Sequence, residues 1–217
     1  MFIKTIYTLY FLSTLIYIIC FFKELFDINL KYFTFYLVFM SSFEIIAHYV
    51  SDILELETLL IYNILTFFEF NCLLFFIREI LSFKKTKKVV TVIVLVFNVI
   101  YLLSTLYLCF QGNYMLKYNE IASISGSFSI TIAIFLFFKD FINSDRILNF
   151  KKSLSFWIAV GLLIYYLGTI PITSIMNSMQ SITKSEVHLL FNIQYVLVTI
   201  MYSIFIFGAL WSQKKEQ

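Results

Sequence analysis

Charge is scarce in this sequence. Only 13% of its 217 residues are Asp, Glu, Lys or Arg, where a soluble domain carries about a quarter. With 61% of the residues hydrophobic, there is too little polar surface to coat a water-soluble globule. The mean hydropathy of +0.89 makes a bilayer the natural solvent. Proline occurs once and glycine five times, which argues against low-complexity linkers and against a turn-rich all-β chain. Cysteine occurs three times, at Cys20, Cys72 and Cys109, each in or beside an apolar run. An odd count at wide spacing indicates neither a disulfide framework nor a zinc site. Histidine occurs twice, as His48 and His188, with no HxxxH or HExxH spacing.

What the chain has is long apolar runs. A spanning helix needs ~20 mostly apolar residues, and seven stretches qualify: about 5–22, 32–50, 58–79, 89–110, 120–139, 153–176 and 187–211. Their short connections leave no room for a soluble domain, so residues 1–217 read as a single transmembrane domain. A membrane β-barrel would need strict apolar–polar alternation, and runs such as VVTVIVLVFNVIYLLSTLYL are apolar all round. The first run follows a basic start, as a signal peptide would. It is long for one, and FFKELFD follows it in place of a small-residue cleavage site, so a retained helix is expected. The expectation is an all-α, polytopic bundle of seven transmembrane helices.

Orientation follows from the basic residues. Alternate connections collect thirteen of the sixteen lysines and arginines, among them Lys84, Lys85, Lys87 and Lys88. The other side holds only Lys4, Lys117 and Lys184. This places the N-terminus outside and the C-terminus in the cytoplasm, with the protein in a bacterial inner membrane. The KKTKK stretch at 84–88 is a topology anchor against anionic headgroups rather than a nucleic-acid patch; no nucleic-acid partner is expected. The stretch SDILELE at 51–57 puts Asp52, Glu55 and Glu57 on the outer side, where acids carry no penalty.

Two packing seams stand out. In EIASISGSFS, 120–129, Ala122 with Gly126, Ser123 with Ser127, and Ser125 with Ser129 are four apart. Such small residues let neighbouring backbones approach; the alternative is a polar lining. Trp157, Gly161, Tyr165 and Gly168 suggest a second seam, and Pro171 is expected to kink or end its helix.

The polar residues within the runs need a reason. A carboxylate near the bilayer centre costs roughly 2.5–3.5 kcal/mol on the insertion scale, yet Glu44 and Glu69 lie inside runs two and three. Glu44 and His48, in FEIIAHYV, share a helix face. Glu69 shares one with Thr66 and Tyr62, with Asn63 beside it, while Asn71 points away. His188 and Asn192 open the seventh run, with Gln194 on another side, and Glu120 opens the fifth. Two readings stay open. Glu44, His48, Asn63, Glu69, His188 and Asn192 converge on a polar ligand pocket open to the outside, or they make separate interhelical hydrogen bonds. A metal or other cofactor is not expected.

Known seven-helix chemistries do not fit. The zinc hydrolases of the ceramidase and adiponectin-receptor type need three histidines. Rhodopsins need a lysine in the last helix, and LLFNIQYVLVTIMYSIFIFGAL has none. Sugar transporters of the SWEET type resemble paired three-helix repeats, and no repeat or Pro-Gln motif is present. Nothing matches a nucleotide-binding loop or a nucleophile elbow. Through its overall plan, FWIAVGLLIYYLGTIP at 156–171 and FNIQYVL at 191–197, the chain resembles a class of seven-helix bacterial inner-membrane proteins without an assigned activity. That resemblance implies a stand-alone sensory or accessory module and supplies no catalytic residues. The expected function is non-enzymatic: a small ligand binds from outside and a separate cytoplasmic protein receives the signal. A small transporter or channel subunit is the alternative, and an intramembrane enzyme with a Glu44–His48 pair a third.

Overall fold

A computed structural model describes residues 2–23, 28–52, 58–178 and 184–212. Within these, the side chains of 2–6, 28, 48, 51–52, 176–178 and 184–185 are outside the description. The chain is all helical there: α1 Phe2–Phe22, α2 Ile28–Asp52, α3 Leu59–Ile80, α4 Lys84–Phe110, α5 Glu120–Ile142, a short 3-10 helix Asp145–Lys152, α6 Leu154–Ser178 and α7 Lys184–Trp211. Six of them, α2 to α7, are long and apolar enough to cross a membrane, which makes this a multi-pass membrane protein. In α1 the apolar run with described side chains is the shorter Tyr7–Phe22.

Helix neighbours define the layout. The pairs α1–α2, α2–α3, α3–α5, α5–α6, α6–α7 and α7–α1 pack together and close a six-helix ring. Helix α4 lies outside the ring, against α3 and α5. Helix α5, packed on α3, α4 and α6, is the most buried of the six spans at 56%, against 22% for α4 and for α7. One half of the ring is filled with apolar side chains. The Phe33 ring on α2 lies 5.1 Å between centroids from the tilted Phe76 ring of α3 and 5.1 Å, edge to face, from Phe205 of α7. Tyr17 on α1 donates from its hydroxyl to the Phe205 carbonyl at 3.3 Å.

Both small-residue seams are close contacts. A Cβ on Gly126 would lie 2.5 Å from the Phe70 ring of α3, and one on Gly161 2.8 Å from Phe205 of α7. Lipid gives helices little hydrophobic drive to associate, so close van der Waals contact of this kind must supply it. Pro171 does not end α6, which continues to Ser178. A proline removes one backbone donor. On either side of it the Thr169, Thr173 and Ser174 hydroxyls donate to the carbonyls of Tyr165, Thr169 and Ile170, one turn back.

The helices overrun the apolar runs that announce them. Helix α4 starts at Lys84 rather than near 89 and absorbs KKTKK into its first turns. Lysines beside a helix N-terminus oppose its dipole. Asp140 of α5 offsets this: its carboxylate accepts from the backbone N–H groups of Ser82 and Phe83 and from the Thr86 hydroxyl. Every basic residue with a described side chain except Lys117 lies at this end of the bundle, the lysine-rich end.

Candidate functional site

At the opposite end, where α4 turns into α5, the ring encloses a cavity of about 300 Å3. That is the lower end of the range for small-molecule pockets, about 300–1,000 Å3. Helix α3 contributes Glu69 and Phe70, and α5 contributes Glu120, Ser123 and Ser127. Helix α6 contributes Tyr165, Tyr166, Thr169 and Thr173; α7 contributes Phe191 and Gln194; Tyr118 comes from the α4–α5 turn. Thr169 and Thr173 fall on one face because they are four apart, as do Ser123 and Ser127.

The cavity is closed toward the lysine-rich end. Below Glu69 the same helices place Leu73, Leu74, Ile130, Ile134, Leu162 and Phe205, each at most 1% exposed. Glu69 is ten residues into α3, so the floor lies ~15 Å from that end of the helix at 1.5 Å per residue. That is about half of a ~30 Å hydrocarbon core.

Glu69 is held in place from across the ring. The Tyr166 hydroxyl donates to its Oε1 at 2.6 Å. Among the described residues, Oε2 has no hydrogen-bond partner. Tyr36 of α2 and Tyr165 of α6 lie, with Tyr166, within electrostatic reach of Glu69, so tyrosines surround the carboxyl group. At the mouth, Asn119 caps α5 by accepting from the Ala122 N–H at 3.2 Å. Glu120 sits in that first turn, where an acidic side chain suits the helix dipole. Tyr118 is partly exposed, but its hydroxyl end is enclosed beside Thr66 and Ser123; the desolvation raises its pKa, so it remains a neutral hydroxyl.

The sequence-derived residues fall in several places. Glu69 lines the cavity. Asn63 is fully buried and clasps the α4–α5 turn: its amide donates to the carbonyls of Tyr114 and Lys117 at 2.9 Å each, and its oxygen accepts from the Asn119 N–H at 2.8 Å. Glu44 is half-buried on α2, which adds no described side chain to the cavity wall. His48 lies on α2 with its side chain outside the described residues, and so does the acidic stretch at 53–57. His188 and Asn192 are exposed on α7, whose cavity residues are Phe191 and Gln194. Asn71 exchanges two amide hydrogen bonds with Asn98 of α4, at 2.8 and 3.2 Å.

Several lining residues give little sequence signal. Tyr166, Thr169 and Thr173 are ordinary in an aromatic, apolar helix. Their one common trait is a 3–4 residue spacing along α6 that also matches simple packing. The seam on α5 serves both uses foreseen for it. Gly126 makes the close contact with α3, and Ser123 and Ser127, adjacent on the helix, face the cavity.

Among the described residues, no group of three or more His, Cys, Asp or Glu side chains is arranged to hold a metal ion. Compared with protein-family models, with curated proteins and with solved structures, the chain matches none of them.

Proposed function

We propose that the protein is a non-enzymatic sensory or accessory module of a bacterial inner membrane. It crosses the bilayer seven times, with α1 as the seventh span, the N-terminus outside and the C-terminus in the cytoplasm. The cavity then opens to the outside and receives a small ligand. The lysine-rich end faces the cytoplasm, where Lys84, Lys85 and Lys88 are exposed to a protein partner and to anionic headgroups.

The observation that carries this reading is the cavity that ends blind at Glu69. A transporter needs polar groups continuing to the other side, and the next turns are packed with leucine, isoleucine and phenylalanine. The basic asymmetry supports the orientation.

Native mass spectrometry from mild detergent tests the ligand. The wild type should carry a discrete extra mass that disappears in a Glu69→Gln, Tyr165→Ala variant. Bare mass in both, at equal stability, would reduce these groups to helix-packing contacts and end the reading.

A further inference from the structure

The class of ligand follows from what the cavity wall contains and lacks, and rests on the reading of the cavity as a ligand site. Two carboxyl groups line it, Glu69 at the floor and Glu120 at the mouth, and among the described residues no lysine, arginine or histidine does. Glu44 lies within electrostatic reach of Glu69 and adds negative field. Among the described residues Lys117 lies within electrostatic reach of Glu120, at the mouth rather than at the floor. An anion would find no cationic partner at the floor, whereas a cation would meet the Glu69 carboxyl group, whose Oε2 has no hydrogen-bond partner among the described residues.

Five of the lining residues are aromatic. At the floor, the Tyr165 and Tyr166 rings stand 4.9 Å apart at 75°, and Phe70 and Tyr166 5.6 Å apart at 52°. Aromatic side chains clustered beside a carboxyl group are an arrangement that recognises alkylammonium groups. A calcium ion would instead need a shell of six to eight oxygens at about 2.3–2.6 Å, and among the described residues no group of three or more His, Cys, Asp or Glu side chains is arranged to hold a metal ion.

We propose that the cavity binds a small organic cation, an alkylammonium about the size of choline, with its charge against Glu69 and its alkyl groups against Tyr165, Tyr166 and Phe70.

The test is calorimetric titration of the full chain in mild detergent at constant ionic strength. One arm uses choline, one its uncharged isostere 3,3-dimethyl-1-butanol, one sodium chloride. Choline should bind at least tenfold more tightly than the isostere, and Glu69→Gln should lose most of that preference. Should Glu69→Gln fail to fold, Tyr165→Leu, which keeps apolar bulk and removes the phenol ring, should weaken choline at least several-fold. Equal binding of choline and the isostere, or choline displaced by sodium at comparable concentration, would overturn the organic-cation assignment and leave the ligand-site reading intact. No binding by any probe, with a native mass adduct still present, would do the same. No binding and a bare mass would overturn both.

Discussion

Asn63 and Asn71 sit two turns apart on α3 and do different work from Glu69. Each spends its amide on structure. Asn63 satisfies two carbonyls and one N–H of the α4–α5 turn. Asn63→Ala should therefore cost about 1–3 kcal/mol of stability, the usual range for orphaned buried backbone groups. Thermal unfolding in detergent measures it, and faster hydrogen exchange across residues 113–119 should accompany it. The Asn71–Asn98 pair is reciprocal, so its members should couple. A double-mutant cycle with Asn71→Leu and Asn98→Leu should return a coupling of roughly 0.6 kcal/mol, the average found between membrane helices, and at most about 1.7 kcal/mol. Additive losses would show that the pair contributes only packing. At this scale the sequence was partly legible. Hydropathy marks Glu69, Asn63 and Asn71 as residues needing partners, and periodicity separates Glu69 from Asn71. It does not name the partners, because Tyr166 and Asn98 come from distant helices whose rotations no single-chain pattern specifies.

Among the elements, α4 is the informative one. It is the most apolar of the six spans, with a hydropathy of 2.5, and it lies outside the ring. Apolarity alone therefore does not tell an interior helix from a lipid-facing one; α5, with a serine at every second position from Ser123 to Ser129, is the more buried. Its small side chains allow close contact on three sides, and their hydroxyls are satisfied within the helix, as Ser127 to the Ser123 carbonyl at 2.9 Å shows. The start of α4 rests on Asp140, which hydropathy had no means of finding as a cap because it lies on another helix. Asp140→Ala should cost about 0.5–2 kcal/mol, as loss of a helix cap does. Amide exchange at residues 82–88 should rise while exchange in the second half of α4 stays unchanged. Uniform change along α4 would mean that Asp140 supports α5 rather than the α4 start.

For the whole molecule, length, apolarity and the alternation of basic connections were enough for an all-helical membrane bundle. Six of the expected spans meet that description by length and composition. The ring order was not legible, since α3 packing on α5, with α4 displaced outward, depends on Gly126 meeting Phe70. The molecule has a polar cavity at one end, an apolar plug at its middle and cations at the other end. The proposed function stands on the cavity being reached from outside and from nowhere else. In a background with Cys20, Cys72 and Cys109 replaced by serine, Ser123→Cys places a thiol in the cavity wall and Lys85→Cys one at the lysine-rich end. Each variant would be treated with the membrane-impermeant reagent methanethiosulfonate ethyltrimethylammonium, in intact spheroplasts and in inverted membrane vesicles. The Ser123→Cys variant should be labelled only in spheroplasts and the Lys85→Cys variant only in inverted vesicles. Labelling of the Ser123→Cys variant in inverted vesicles, alone or equally with spheroplasts, would refute an outward-opening, blind-ended cavity.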